Sequence, residues 1–187
     1  LPYIAPEVLN KEPYTSSSDI YSFGVIMAEL SSGKPPYHNR KHDASLALNI
    51  CNGLRPEFGK GTPEIYKKMA YKCMNAISNQ RPKASEISEI IDFWNSSFHD
   101  NKYYQENEKY GYKGKEIKVI FEEADKEVPN ISTSYKKDPD AIYTSRLFRT
   151  QKYIYRGQVM KFFFTLSCTH FFRAGIMIML ASYYNRK

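Results

Sequence analysis

The segment TSSSDIYSFGVIMAELSSG, residues 15–33, decides the fold class. Its opening hydroxyl and acidic side chains can accept hydrogen bonds from the free amides of a first helical turn. Ser16, with Asp19 three residues on, has the form of a capping box. From Ile20 to Leu30 only Ser22 and Glu29 are clearly polar. A helix that is apolar on nearly every side is a buried one. Gly33 can end it in the left-handed conformation, and Pro35-Pro36 prevent its return. A chain with such a helix at its centre is expected to be mainly α, with the other elements packed around it.

Outward from this helix, Asp43 can cap a second one over residues 44–52, with Leu46, Ala47 and Ile50 on one face and Gly53 as its stop. Thr62-Pro63-Glu64 joins a cap, a proline for the first helical position and an acid for the first turn. Ile65, Met69, Cys73 and Met74 then carry that helix to about Ile77, with Cys73 and Met74 in the core. Asn79 to Lys83 read as a turn. Ser85-Glu86 open a further helix that places Ile87, Ile90, Ile91 and Trp94 inward. No segment within residues 1–99 alternates convincingly enough for a strand. After Phe98 the composition changes. Asp100 to Lys113 is polar, rich in tyrosine and read as a linker. Lys115 to Glu127 places Ile117, Ile120, Phe121 and Ala124 at i, i+3, i+4 and i+7, an amphipathic helix. Pro129 to Asp140 is polar and read as mobile, its Ser132, Thr133, Ser134 and Tyr135 an unmodified flexible run.

Composition is that of a globular protein: 187 residues, 42% hydrophobic and 25% charged. The net charge of +7 is uneven. Residues 1–99 carry 11 basic and 10 acidic side chains, whereas residues 100–187 carry 16 and 10. After Asp140 there are eight basic groups and no acidic one. A nucleic-acid reading would rest on this tail alone, so no nucleic-acid partner is expected. Three cysteines, Cys51, Cys73 and Cys168, form no CxxC pair and suit a reducing, cytoplasmic setting. The first residues, LPYIAPEVLN, are no signal peptide. They open without Met, directly in a motif, as a fragment or a processed product would. Without a leader, the glycosylation patterns at Asn95 and Asn130 read as chance.

Three motifs stand in order: Tyr3-Ile4-Ala5-Pro6-Glu7, Ser18-Asp19-Ile20-Tyr21-Ser22-Phe23-Gly24 and Gln80-Arg81-Pro82. Leu30 to Tyr37 and Arg55-Pro56 accompany them. Together they resemble the C-terminal half of the protein kinase domain, whose signature set includes the A-P-E triplet. The resemblance covers residues 1–98. It implies the helical rear half of a protein kinase C-lobe, followed by a partly disordered C-terminal extension. It implies a structural ion pair between Glu7 and Arg81 that staples the end of the activation segment to the helices behind it. It makes Asp19 the anchor of the central helix, accepting backbone hydrogen bonds from a catalytic loop. It makes Leu1, Pro2, Tyr3 and Ile4 the loop that seats the substrate residue after the phosphorylated one. The L-P-Y-x-A-P-E form leans towards Ser/Thr and tyrosine-kinase-like enzymes.

Phosphoryl transfer in that family needs a Gly-rich loop, a strand lysine with its glutamate, a catalytic Asp and Asn, and a metal-binding Asp. All precede A-P-E in the family's order, and no substitute occurs among these residues. We therefore expect no catalytic residue, no cofactor and no metal in this chain, with ATP and Mg belonging to a full-length parent that phosphorylates proteins. A protein substrate or partner is expected, and the chain is expected to need the missing kinase half for stability. The alternative is a non-catalytic binding or scaffold module, and a third reading is a membrane-anchored adaptor that uses the apolar tail. His38 and His42 have a helical metal-ligand spacing but lie in a proline-containing loop without a third ligand, and read as exposed loop histidines. Asp138-Pro139-Asp140 read as a solvated turn.

The domain reading is thus 1–98 kinase C-lobe fragment, 99–147 linker with one amphipathic helix, and 148–187 basic, apolar tail. Phe162 to Tyr184 is long enough to cross a bilayer. Arg173 in its middle costs about 2.5–3.5 kcal/mol on insertion scales. A membrane segment, a docked helix and sequence foreign to the family from a mis-joined gene model remain open for this tail, and the loss of acids after Asp140 favours the third.

Overall fold

A computed structural model describes residues 1–99 and 101–144. It contains α1 (Pro6–Leu9), α2 (Ser16–Ser32), α3 (Ala44–Cys51), α4 (Glu64–Cys73), a 3-10 turn (Ser78–Gln80), α5 (Ala84–Ser96), α6 (Lys102–Glu106), β1 (Glu108–Lys109), β2 (Tyr112–Lys113), α7 (Gly114–Glu127) and a second 3-10 turn (Val128–Asn130). The architecture is mainly α. Among the described residues the chain divides into two compact units, one of residues 1–83 with 127–144, the other of residues 84–126. The basic, apolar tail lies outside the described residues. Among the described residues no helix is long and apolar enough to cross a membrane.

In the first unit α2 is the centre. Its capping box sits one residue earlier than Ser16/Asp19: Thr15 is the N-cap, and the Thr15 amide donates to Ser18 Oγ at 3.2 Å. Three consecutive serines make the register ambiguous in sequence, and burial of Ser18 (0% exposed) decides it. Tyr21, Val25, Met27 and Ala28 are buried along the helix. Gly24 allows α4 to approach closely, since a Cβ there would stand 2.7 Å from Met74 Cγ and 2.8 Å from the Ala70 carbonyl oxygen. Tyr66 of α4 donates its hydroxyl to the Met27 carbonyl at 3.0 Å. Gly33 ends α2 at φ 66°, its amide donating to the Glu29 carbonyl at 2.9 Å.

Helix α3 begins where Asp43 predicts, with Asp43 Oδ1 accepting from the amides of Ser45 (2.9 Å) and Leu46 (3.2 Å). Helix α4 stops at Cys73, short of Ile77. Two arginines account for this. Arg55 Nε donates to the Met74 carbonyl and Arg81 Nε to the Asn75 carbonyl, both at 2.8 Å. These guanidiniums satisfy backbone oxygens that another helical turn would otherwise use. Thr62 does not cap the helix; its hydroxyl donates to the Gly59 carbonyl, and Pro63 takes the N-cap place.

The second unit gathers aromatic side chains. Trp94 of α5 lies 5.3 Å from Phe121 of α7, ring to ring, and Phe93 lies 6.0 Å from Tyr110. Ile117 is fully buried. The stretch read as a linker, 100–113, holds α6 and the antiparallel β1–β2 pair, with Glu108 opposite Lys113. Asn101 caps α6 through the Tyr103 amide, and Tyr110-Gly111, both at positive φ, form the hairpin turn. Short polar elements of this kind have too little hydrophobic period to stand out in sequence.

Candidate functional site

The site of interest in the first unit is where the N-terminal loop and α1 meet α2 and the end of α4. Pro6 at the first position of α1 fixes the helix start and sets Glu7 inward. Glu7 is 8% exposed and Arg81 7%. The two meet bidentately, Arg81 Nη1 donating to Glu7 Oε1 and Nη2 to Oε2, both at 2.7 Å. Ser18 adds a hydroxyl to Oε1 at 2.9 Å, and Arg81 Nη1 also donates to the Ser17 carbonyl at 2.8 Å. Burial opposes ionisation of Glu7, but the Arg81 hydrogen bonds, with help from a backbone amide and Ser18, hold its carboxyl below the ordinary range.

Tyr21 packs beside this pair. Both Arg55 and Arg81 lie over its ring, at 5.1 and 5.2 Å from the centroid. Its hydroxyl is buried and has no hydrogen-bond partner. Burial pushes this phenol up to about 12, against the pull of the two arginines. Nothing in the local sequence marks this arrangement, because Arg55 and Arg81 arrive from separate loops.

The loop Leu1 to Ile4 is tied to α2 by one residue. Tyr3 donates its hydroxyl to Glu29 Oε2 at 2.7 Å, and Ser22 Oγ donates to the Tyr3 carbonyl at 2.7 Å. Pro2 is buried, and Leu1, Tyr3 and Ile4 are half-buried. Burial raises both Tyr3 and Glu29 above their ordinary values; for Tyr3 the Glu29 carboxylate adds to it, whereas for Glu29 the Tyr3 hydroxyl works the other way. Asp19 is half-buried and accepts the Tyr14 hydroxyl. The structure therefore brings together Glu7 with Arg81, and Tyr3 with α2, and places Asp19 on the same helix facing Tyr14.

Gly59 and Gly61 come closest in spacing to a phosphate-binding loop. A Cβ on Gly59 would stand 2.0 Å from the Ser31 carbonyl oxygen, and one on Gly61 2.7 Å from Glu127 Cβ. Both glycines are thus closely packed against the chain on the side where a side chain would stand. Among the described residues no group of three His, Cys, Asp or Glu side chains could hold a metal ion. His42 is not an exposed loop histidine; it is 2% exposed. Its ring is covered by residues 142 and 143, which are distant in sequence. His38 stacks at 4.7 Å on Tyr135.

The protein tyrosine and serine/threonine kinase family matches residues 1–91. The probable serine/threonine-protein kinase pats1 of Dictyostelium discoideum is 36% identical over 90 residues, 48% of this chain and 3% of its own length. The serine/threonine-protein kinase VIK of Arabidopsis thaliana is 35% identical over 91 residues, 48% of this chain and 20% of its own. A probable inactive serine/threonine-protein kinase of Dictyostelium discoideum is 32% identical over 92 residues, 48% of this chain and 5% of its own. The chain thus spans a fifth or less of these relatives, and its residues 1–91 are a protein-kinase-like segment.

Proposed function

From the premise of a kinase-like segment at residues 1–91, we propose that this polypeptide is the protein-facing, helical part of a Ser/Thr-type protein kinase domain and transfers no phosphate by itself. The buried bidentate pair of Glu7 and Arg81 carries this reading. It ties the A-P-E segment to the end of α4, as the kinase resemblance expects, and so sets the Leu1–Ile4 loop against α2. A parent enzyme containing this segment would move the γ-phosphate of ATP to protein hydroxyls, with Mg and nucleotide held by residues other than these 187. The free thiols of Cys51 and Cys73 support a reducing, cytoplasmic setting.

Isothermal titration of the 187-residue protein with Mg-ATP tests the proposal. No saturable heat is expected up to millimolar nucleotide. Binding with a micromolar dissociation constant, or phosphate transfer to a generic protein substrate, overturns it.

A further inference from the structure

Residues 131–138 run along the first unit, against the loop that follows α2, and Asp138–Ala141 then close a turn, the Ala141 amide donating to the Asp138 carbonyl at 3.0 Å. Thr133 Cγ2 lies 3.1 Å from where a Cβ would stand on Gly33. Further on, backbone bonds recur at alternate residues. The Asp138 amide donates to the His38 carbonyl at 2.8 Å, and the His42 amide donates to the Asp140 carbonyl at 3.2 Å. Ile142 then meets the His42 ring, Nδ1 lying 2.9 Å from its carbonyl oxygen and 3.0 Å from its amide nitrogen. Between these contacts Ala141 is fully buried. Tyr143 sets its ring edge-on to His42 at 4.9 Å and donates its hydroxyl to the Pro36 carbonyl at 3.0 Å. Asp140 reaches Lys41 at 2.9 Å.

The segment is held as a turn: main-chain bonds at Asp138 and Asp140 supply the hold, and the side chains from Asp140 to Tyr143 supply the selectivity. Ala141 is read by size, Tyr143 by shape and one hydrogen bond, and Asp140 by charge. The Lys41–Asp140 pair is exposed and contributes selectivity more than energy. The segment lies outside the kinase-matched residues 1–91, so the loop has acquired an occupant from elsewhere in the chain.

We propose that the Pro36–His42 loop is a peptide-docking site whose resident ligand is this chain's own segment Asp138–Tyr143. The site selects an acidic residue followed by a small one and, two further on, a tyrosine. Held in cis at an effective concentration of millimolar order, the strap excludes a free peptide of the same pattern. Once displaced, it leaves the Pro36–His42 loop open to such a peptide.

The test uses the full chain and a fluorescently labelled peptide of residues 136–144, KKDPDAIYT, followed by polarisation. Ala141→Arg cannot keep its side chain buried and evicts the strap, and Tyr143→Ala is a second, milder release variant. Both are expected to bind the peptide at least about tenfold more tightly than the unaltered chain. Adding His42→Ala to either is expected to abolish that gain. Amide exchange should quicken at Asp138 and His42 in the release variants while α2 stays protected, which separates eviction from unfolding. A Tyr143→Ala chain with α2 protected that binds the peptide no better than the unaltered chain overturns the proposal. So does equal binding by a scrambled peptide.

Discussion

At Glu7 a carboxylate with almost no water around it accepts from Arg81 twice and from Ser18 once. Arg81→Ala leaves that charge buried and unpaired, so it is expected to lower stability by about 3–5 kcal/mol. In urea titrations, Glu7→Ala combined with Arg81→Ala should cost less than the sum of the two single changes. Additive costs would mean the pair is not coupled. The same site sets a pH dependence. The folded Glu7 carboxyl lies below its unfolded value of about 4.3. Its contribution is therefore complete above about pH 4.3 and is lost as pH falls through the depressed folded value. Glu29 has the opposite sign, since burial raises it and its ionisation costs stability as pH rises. Glu29→Gln should accordingly stabilise the protein more at pH 7 than at pH 4. Tyr21 offers a control in which a polar group is removed at no loss of bonding. Its buried hydroxyl has no partner, so Tyr21→Phe should leave the unfolding midpoint unchanged or raise stability by up to about 1 kcal/mol.

At the scale of elements, the α2–α4 contact depends on one missing side chain. Gly24→Ala puts a methyl group within 3 Å of Met74, Cys73 and the Ala70 carbonyl. Two of these neighbours are a backbone oxygen and a short side chain, so α4 must move. A loss of about 1–3 kcal/mol is expected from such overpacking, read as a lower thermal midpoint. Helix boundaries show how far local chemistry reaches. Asp43 starts α3 as its side chain dictates. The end of α4 is set instead by Arg55, 19 residues before the carbonyl it binds, and by Arg81, which folds back from just beyond the helix. Arg81 lies only six residues beyond the carbonyl it binds, but nothing in the sequence around Cys73 shows that its side chain, or that of Arg55, turns back onto the helix end. The cap of α2 falls between these cases, for the serine run offers several registers and burial of Ser18 selects one.

For the whole molecule, the face of α2 not turned to α4 matters most. Ile20, Phe23, Ile26 and Leu30 remain half-buried on a helix whose sequence is apolar nearly throughout. An apolar stripe left partly open favours association. The 187-residue protein is expected to bind a hydrophobic dye and to self-associate in light scattering, and Phe23→Ser with Ile26→Lys should reduce both. A monodisperse protein without dye binding would show that this stripe is covered. The helical class and the central buried helix could be named from the residues, because apolar runs and caps are local signals, whereas the Glu7–Arg81 pairing, 74 residues apart, was legible only through the family resemblance. What only the tertiary structure decided are the contacts made at long sequence separation: Arg55 and Arg81 around Tyr21, and the strap from 131 to 143 on the loop at 36–42. In the strap, polar side chains face solvent and the backbone makes most of the bonds. Backbone groups are the same in every residue, so composition records nothing of where they dock.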